Sequence, residues 1–450
     1  MDRVEAYIEA NQERFLDELK QFMRFPSVSA QRAHDGDTRA CAEWLRDHFR
    51  ELGLEAELVD VGGQPIVKAR GAGRSNRRIA VYGHYDVQPE DPIDLWQSPA
   101  FEPTVRDGKL YGRGAVDDKG QLFAHVKAIE SLLKTIGELP CEILFLVEGE
   151  EESGGEALGR YVRQARDEIK PDALIISDTT MYDEETPAIT YALRGILTFE
   201  FTVRGPSHDL HSGAYGGAVV NPAIVLARIL ASCSGPDGRI LIPRFYDDVA
   251  PLAEWEAEEF RRLELDSDAL AREVGVPRAD GEVGRSTLER LWARPTFEVN
   301  GLFGGYQGGG AKTIIPASAT AKISSRLVPH QDPVRIREAV VEHLRSVCPD
   351  TVRLEISDFA MSPPVLFDVD NPALHAARDA LQRGFGREAV FIRCGGSIPV
   401  VSTFVEQLAC PVVLMGFGLD SNRPHSPNEH FRLTDFLRGT KSAAHLLRTI

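Results

Sequence analysis

The sequence predicts an α/β protein, in which a mostly parallel sheet covered by helices is interrupted by an inserted α+β domain. Three observations carry that prediction. Continuous apolar runs lie towards the two ends of the chain, at Ile79-Ala80-Val81-Tyr82, Ile143 to Val147, Ala173 to Ile176 and Val412 to Met415. A strand covered on both faces has no solvent side for polar residues to mark, so such runs suit a parallel sheet between helical layers. Helical spacing separates the runs, at Thr38 to Leu52 and at Gly120 to Ile136, where Leu122, Phe123, Val126, Ile129 and Leu133 recur on one side. The middle of the chain alternates instead. Leu197, Phe199, Phe201 and Val203 share one face of a strand, Thr198, Glu200, Thr202 and Arg204 the other, and Val352, Leu354 and Ile356 repeat the pattern. Alternation marks antiparallel sheets with one face in water.

These changes of pattern divide the 450 residues into a first segment at 1–191, an inserted domain at 192–362 and a returning segment at 363–450, in keeping with the two or three domains such a length supports. An N-terminal amphipathic helix places Val4, Ile8, Phe15, Leu19 and Phe22 on one side and lacks the apolar segment and cleavage site of a signal peptide. No stretch reaches the ~18 to 20 apolar residues that span a bilayer. A cytoplasmic protein is expected. The six cysteines, Cys41, Cys141, Cys233, Cys348, Cys394 and Cys410, are scattered without a CxxC pair, a pattern of reduced thiols. With 51 basic against 68 acidic residues, the formal net charge of -17 argues against nucleic acid or an anionic membrane as partner. The acidic helical stretch from Asp247 to Gly275 receives no role from the sequence.

Several strand ends carry side chains that bind metals. The Ile79 to Tyr82 run leads into GHYDVQP, where His84 and Asp86 lie two apart and share a face, so that a carboxylate can orient an imidazole. Alone, such a pair is more often a surface accident. YGRGAVDDKG sets Asp117 and Asp118 in a glycine-rich turn before a helix, which by itself is equally a capped helix start. The Ile143 to Val147 run ends in Glu148, Glu150, Glu151 and Glu152, the Ala173 to Ile176 run in Asp178, and His425 follows the last run in a loop rich in Pro, Asn and Ser. Two carboxylates about 4 Å apart repel by roughly 4 kcal/mol at an effective dielectric near 20, so acidic groups gathered at strand ends need either water or cations.

Sites in open α/β sheets form beyond the carboxyl ends of the strands. Roughly 30 residues separate successive acidic motifs from Asp86 to Asp178, about one strand-helix-strand step. These residues are expected to converge. Two histidines with carboxylates and no thiolate suit zinc, manganese or cobalt. The negative charges of Asp117, Glu152 and Asp178 are balanced by two divalent cations and a bridging hydroxide, and a remaining glutamate beside a ligand glutamate is placed as general base. Other signals fail. GGYQGGGAKT has Ala311 where a phosphate loop needs glycine before the lysine, and neither HExxH nor a GxSxG nucleophile elbow occurs.

The motifs GHYDVQP, YGRGAVDDKG, EGEEESGG, ISD, HDLHSGAYGG, GGGAKTIIP, SRLVP, CGGSIPV and HSPNE, in this order, resemble the dinuclear metallopeptidase family of carnosinases and cytosolic nonspecific dipeptidases. Acetylornithine deacetylase, succinyl-diaminopimelate desuccinylase and carboxypeptidase G are more distant relatives. The resemblance implies a zinc-peptidase-like catalytic domain, with the inserted domain as the lid and dimerisation domain of a homodimer. It also implies two divalent ions per subunit, zinc first and manganese or cobalt as alternatives. Asp117 would bridge them, with His84 and Asp178 on one ion and Glu152 and His425 on the other. Glu151 is then the general base, Asp86 orients His84, Glu148 and Glu150 are non-ligands, and the Asp117-Asp118 peptide is cis. His211 resembles the histidine that reaches the partner subunit's site and stabilises the oxyanion. Arg326 and Thr313, with Ser397 from the catalytic domain, resemble groups that grip the substrate carboxylate. Relatives often read REGGSIP where this chain has Arg393-Cys394-Gly395-Gly396-Ser397, a thiol in place of a carboxylate that either alters recognition of the substrate amine or changes nothing.

The implied activity is hydrolysis of dipeptides or short peptides by a metal-bridging hydroxide. An N-acyl amino acid deacylase of the same mechanism and a non-catalytic binding protein of the same fold are the alternatives. Retention of every expected ligand together with Glu151 opposes the second of these.

Overall fold

The apolar runs near the chain ends form the centre of one sheet. In a computed structural model, which describes residues 2–263 and 265–450, the strands Leu139–Glu148, Gly73–His84, Ala173–Ile176 and Val412–Leu414 lie side by side and parallel. Ile66–Gly71 and then Glu55–Val59 extend this sheet antiparallel on one flank, and Ala188–Leu193 lies antiparallel beside Val412–Leu414 on the other. The sheet is therefore mixed, parallel at its centre and antiparallel at its flanks. The short connection between Glu55–Val59 and Ile66–Gly71 permits only an antiparallel pair, because a parallel one needs a crossover of a dozen or more residues.

The chain divides into two compact units, Met1–Tyr191 with Phe367–Ile392 and Thr403–Ile450, and Ala192–Leu366 with Arg393–Ser402. In the first, Ile79, Ala80, Val81 and Tyr82 are all buried, each large side chain among them contributing roughly 1.5–3 kcal/mol. The Phe49 and Phe145 rings pack with centroids 4.7 Å apart, joining the helix Asp35–Glu51 to the sheet. The helix Lys119–Ile136 is buried from Lys119 to Leu132, more than the single stripe its apolar spacing predicts, and it ends at Gly137 in the left-handed region at φ 86. Its buried ammonium Lys127 is answered by Glu130 at 2.8 Å and by Glu18. Three of the parallel strands point their carboxyl ends the same way, and these ends carry His84, Glu148 and, two residues beyond Ile176, Asp178.

In the second unit, a four-stranded antiparallel sheet runs in the order Glu298–Gly304, Ser318–Leu327, Gly195–Arg204, Arg353–Ser362. Leu197, Phe199, Phe201 and Val203 are its buried face, packed with Val225 and Ile229 of the helix Pro222–Cys233 and Ile336 and Val340 of Pro333–Val347. The acidic stretch with no assigned role forms the helices Glu254–Leu263 and Ser267–Val274. Its Glu256 is buried and accepts from the Arg393 guanidinium, with Nε at 3.0 Å, which ties the segment 393–402 into this unit. Among the described residues no helix is long and apolar enough to cross a membrane.

Candidate metal centre

All seven residues expected at the centre come together in the first unit. His84 ends its strand fully buried, and its two ring nitrogens face different carboxylates: Nδ1 lies 3.4 Å from Asp86 Oδ1 and Nε2 lies 3.1 Å from Asp117 Oδ1. The other Asp117 oxygen, Oδ2, lies 2.8 Å from His425 Nε2, which is in turn 3.3 Å from Glu152 Oε2. Two donor groups result, His84 with Asp117 and Asp178, and Asp117 with Glu152 and His425, and within each group the donor atoms lie within 4.8 Å of one another. Asp117 belongs to both.

The Asp117-Asp118 peptide is cis, and His425 holds a positive φ of 57. Asp86 acts on both sides of the cluster: besides facing His84, its carboxylate accepts the backbone N–H of Glu152 at 3.0 Å, that of Glu151 at 3.3 Å and the Ser29 hydroxyl at 2.6 Å. It thereby anchors the Glu151–Ser153 turn that presents Glu151 and Glu152. Gln88 Nε2 donates to Glu152 Oε2 at 2.7 Å.

The remaining glutamates of the acidic run point elsewhere. Glu148 is buried and accepts from the Tyr82 hydroxyl at 2.9 Å, while Glu150 accepts the Gln64 backbone N–H at 2.9 Å. Burial, then the Asp86 charge, pushes the Glu148 carboxyl up to about 8. Burial likewise raises Asp118 to about 8 and Asp178 well above the carboxylate range, with Asp117 adding to both. Glu151 is pushed up to about 7 by burial, partly opposed by His84 and reinforced by Glu152 and Asp86. Hydrogen bonds donated to Asp117 and Glu152 lift His425 to about 10. Burial leads these carboxyl shifts, and neighbouring carboxylates add to each, so negative charge is gathered here away from water. Among the described residues no lysine or arginine forms an ion pair with Asp86, Asp117, Glu151, Glu152 or Asp178. Nitrogen and oxygen donors aimed at common points, with surplus negative charge and no thiolate, fit a pair of divalent cations.

Sequence reasoning passed over Glu429. It is fully buried, and its carboxylate accepts the backbone N–H groups of Gly114 at 3.0 Å, Val116 at 2.9 Å and Asp117 at 3.2 Å together with Arg113 at 2.8 Å. It therefore shapes the loop that carries Asp117. Only its place in HSPNEH, four residues after His425, pointed towards it.

The four residues expected to hold substrate lie in the second unit, Ser397 among them although the sequence assigned it to the catalytic domain, because the segment Arg393–Ser402 packs with the inserted domain. His211 pairs across the short ladder with Ile314, its Nδ1 accepts the Gly213 N–H at 3.0 Å, and the Thr313 carbonyl accepts from the Ser212 N–H at 3.0 Å. Arg326 donates to the Ser397 hydroxyl at 2.8 Å.

A donor set of this kind at the carboxyl edge of an α/β sheet defines a metal-dependent hydrolase. The chain belongs to peptidase family M20/M25/M40, whose model matches residues 80–449. It is 33% identical over 458 residues to the Cys-Gly metallodipeptidase dug1 of Schizosaccharomyces pombe, covering 98% of this chain and 96% of that one. It is 32% identical over 464 residues to the Beta-Ala-His dipeptidase of Homo sapiens, covering 98% and 91% respectively. The crystal structure of human carnosine dipeptidase 1 matches with a TM-score of 0.86 at 31% identity, over 100% of this chain and 98% of that chain.

Proposed function

We propose that this protein is a metal-dependent dipeptidase that cleaves the peptide bond of dipeptides or short peptides with two divalent cations per subunit. The observation that carries the reading is Asp117, whose two oxygens face two different imidazoles, each accompanied by a further carboxylate. His84 and Asp178 would hold one cation, Glu152 and His425 the other, and Asp117 both. When bound, such ions polarise a carbonyl and acidify water.

The residues of the chain do the rest. Glu151, raised to about 7 by burial and neighbouring carboxylates, is poised to take the proton of the attacking water and return it to the leaving amine. Asp86 fixes the His84 ring and the Glu151–Ser153 turn together, so base and ligands keep one geometry. His211 accepts at Nδ1, which leaves its proton on Nε2, free to donate to the developing oxyanion. Arg326, with Ser397 and Thr313, would hold the substrate carboxylate.

In this reading the first unit is catalytic and the second is the lid of a homodimer acting in the cytoplasm. Exposed Leu302, Phe303, Phe359 and Met361 on the two edge strands of the second unit's sheet support the dimer, and six free cysteines suit a reducing compartment. Zinc is the first expectation for the metal, manganese or cobalt the alternatives. The test is hydrolysis of a dipeptide panel beside N-acetyl and N-succinyl amino acids, using chelated protein to which zinc, manganese or cobalt is returned. Metal-restored cleavage of dipeptides is expected. Preference for the N-acyl amino acids would move the protein to the deacylases, and no turnover with any metal would reject both.

A further inference from the structure

In the first unit, one face of the helix Lys119–Ile136 carries two buried polar side chains that belong to neither donor group. Gln121 and His125 stand one helical turn apart, so they share that face. Gln121 joins two loops. Its Nε2 donates to the Val116 carbonyl at 3.0 Å, next to Asp117. Its Oε1 accepts the backbone N–H groups of Phe417 at 2.6 Å and Gly418 at 3.1 Å, on the chain that runs on to His425. His125 reaches a third: its Nε2 lies 2.7 Å from the hydroxyl of Ser177, the residue between the strand Ala173–Ile176 and Asp178. The loops also press on one another, since a Cβ at Gly418 would stand 2.2 Å from Val116 Cγ2 and one at Gly416 1.8 Å from the Thr179 carbonyl oxygen.

The two side chains are matched to these loops unequally. Gln121 spends its amide oxygen twice and its NH2 once, always on backbone groups that would otherwise lie buried and unpaired. His125 is only half matched. Its ring is buried against Phe417, with centroids 5.6 Å apart, and among the described residues its Nδ1 has no hydrogen-bond partner. For packing alone a phenyl ring would serve better, because an imidazole nitrogen taken out of water without a partner costs stability. What a phenyl ring cannot supply is the bond to Ser177.

We infer that Gln121 and His125 are positioning residues of the two-cation centre: Gln121 fixes the Asp117 loop against the chain leading to His425, and His125 fixes the strand end that presents Asp178. This rests on the two-cation reading. A single helix then sets the spacing of ligands on both cations. His125 acts on the cation of His84 and Asp178, whereas Gln121 acts on the shared Asp117 and on the cation of Glu152 and His425. Outer groups of this kind hold ligands at the distance a cation requires, so their loss is felt in metal affinity.

The experiment titrates zinc calorimetrically into the chelated wild type and variants, and melts each chelated protein alone to show that it is folded. His125→Phe should keep or raise the melting temperature, because it removes the unmatched nitrogen, yet weaken zinc binding about 10- to 100-fold at one of the two steps. Ser177→Ala should weaken the same step, and the double variant should lose little more than either single one. Gln121→Met, which keeps the length of the side chain, should lower the melting temperature and weaken both steps by about the same factor. If it does not fold, Gln121→Glu serves in its place, since it keeps an oxygen for the Phe417 and Gly418 N–H groups and loses the donor to Val116. Zinc affinities equal to wild type in the folded variants would reduce both residues to supports of the fold and overturn the inference. Additive losses for His125→Phe and Ser177→Ala would overturn it for His125. Wild-type protein that binds no zinc would remove the two-cation reading, and the inference with it.

Discussion

The Asp117 backbone N–H donates to the Glu429 carboxylate across 3.2 Å, although 312 residues separate them in sequence. With Gly114, Val116 and Arg113 donating to the same carboxylate, Glu429 is the mould in which the Asp117 loop is cast. Gln at this position would turn one acceptor into a donor facing donors and leave Arg113 buried without its counter-charge. Glu429→Gln should lower folding stability by about 3 kcal/mol and weaken metal binding about 10- to 100-fold, read from thermal melting and a zinc titration of the chelated protein. Gly120→Ala should act on the same loop, because its Cβ would stand 1.9 Å from the Ala115 carbonyl oxygen. Metal affinity unchanged in both variants would separate the loop from the centre.

Glu151 sits in the turn held by Asp86 and lies outside both donor groups. Glu151→Gln should therefore keep the metal content of the wild type and lose about 10²- to 10⁴-fold in kcat, the range for removing a general base. Metal analysis and steady-state turnover on one preparation check this. An active variant would require another base.

How much of this was legible follows from which interactions the sequence can display. A strand buried on both faces writes itself as an apolar run, so Ile79 to Tyr82 and Ala173 to Ile176 mark the parallel centre, and the residues just past them mark the site. The antiparallel flank at Glu55–Val59 is half-exposed and carries no such run. Glu429 was not legible for a different reason: apart from Arg113 its partners are backbone N–H groups of the loop at 114–117, and a backbone N–H leaves no trace in residue identity. Glu256 was hidden among the other acids of its helix because its distinction is burial against Arg393.

His211 offers a test of the proposed dimer. If its Nε2–H serves the site of the other subunit, His211→Ala should lower kcat about 100-fold or more without altering metal content. Mixing it with Glu151→Gln protein should then restore activity, since one site in each mixed dimer would combine an intact Glu151 with an intact His211. Turnover of the mixture that stays at the sum of the separate variants would place His211 in its own subunit's chemistry.

His48 predicts how stability depends on pH. Its ring stacks on Trp44 with centroids 5.0 Å apart, packs against Phe123 at 5.4 Å, and accepts from Lys127 Nζ at 2.9 Å through Nε2. Protonating Nε2 would set two cations against each other in a buried place. Burial and Lys127, outweighing Glu18 and Glu130, accordingly lower the imidazole to about 4. His125, buried with Nε2 at 2.7 Å from the Ser177 hydroxyl, is lowered to about 4 by burial alone. Below the unfolded value near 6.5 the unfolded chain takes up protons that the folded one refuses, so the stability present above that pH is lost as pH falls towards 4. By pH 5 each histidine should have removed about 2 kcal/mol. Urea midpoints measured from pH 7 to pH 5 should show that fall, and His48→Gln, whose amide oxygen can still accept from Lys127, should flatten it by the share of one histidine. Because the metal centre is common to both proteins, the difference between their curves isolates His48, and parallel curves would mean that its ring takes up its proton without cost to the fold.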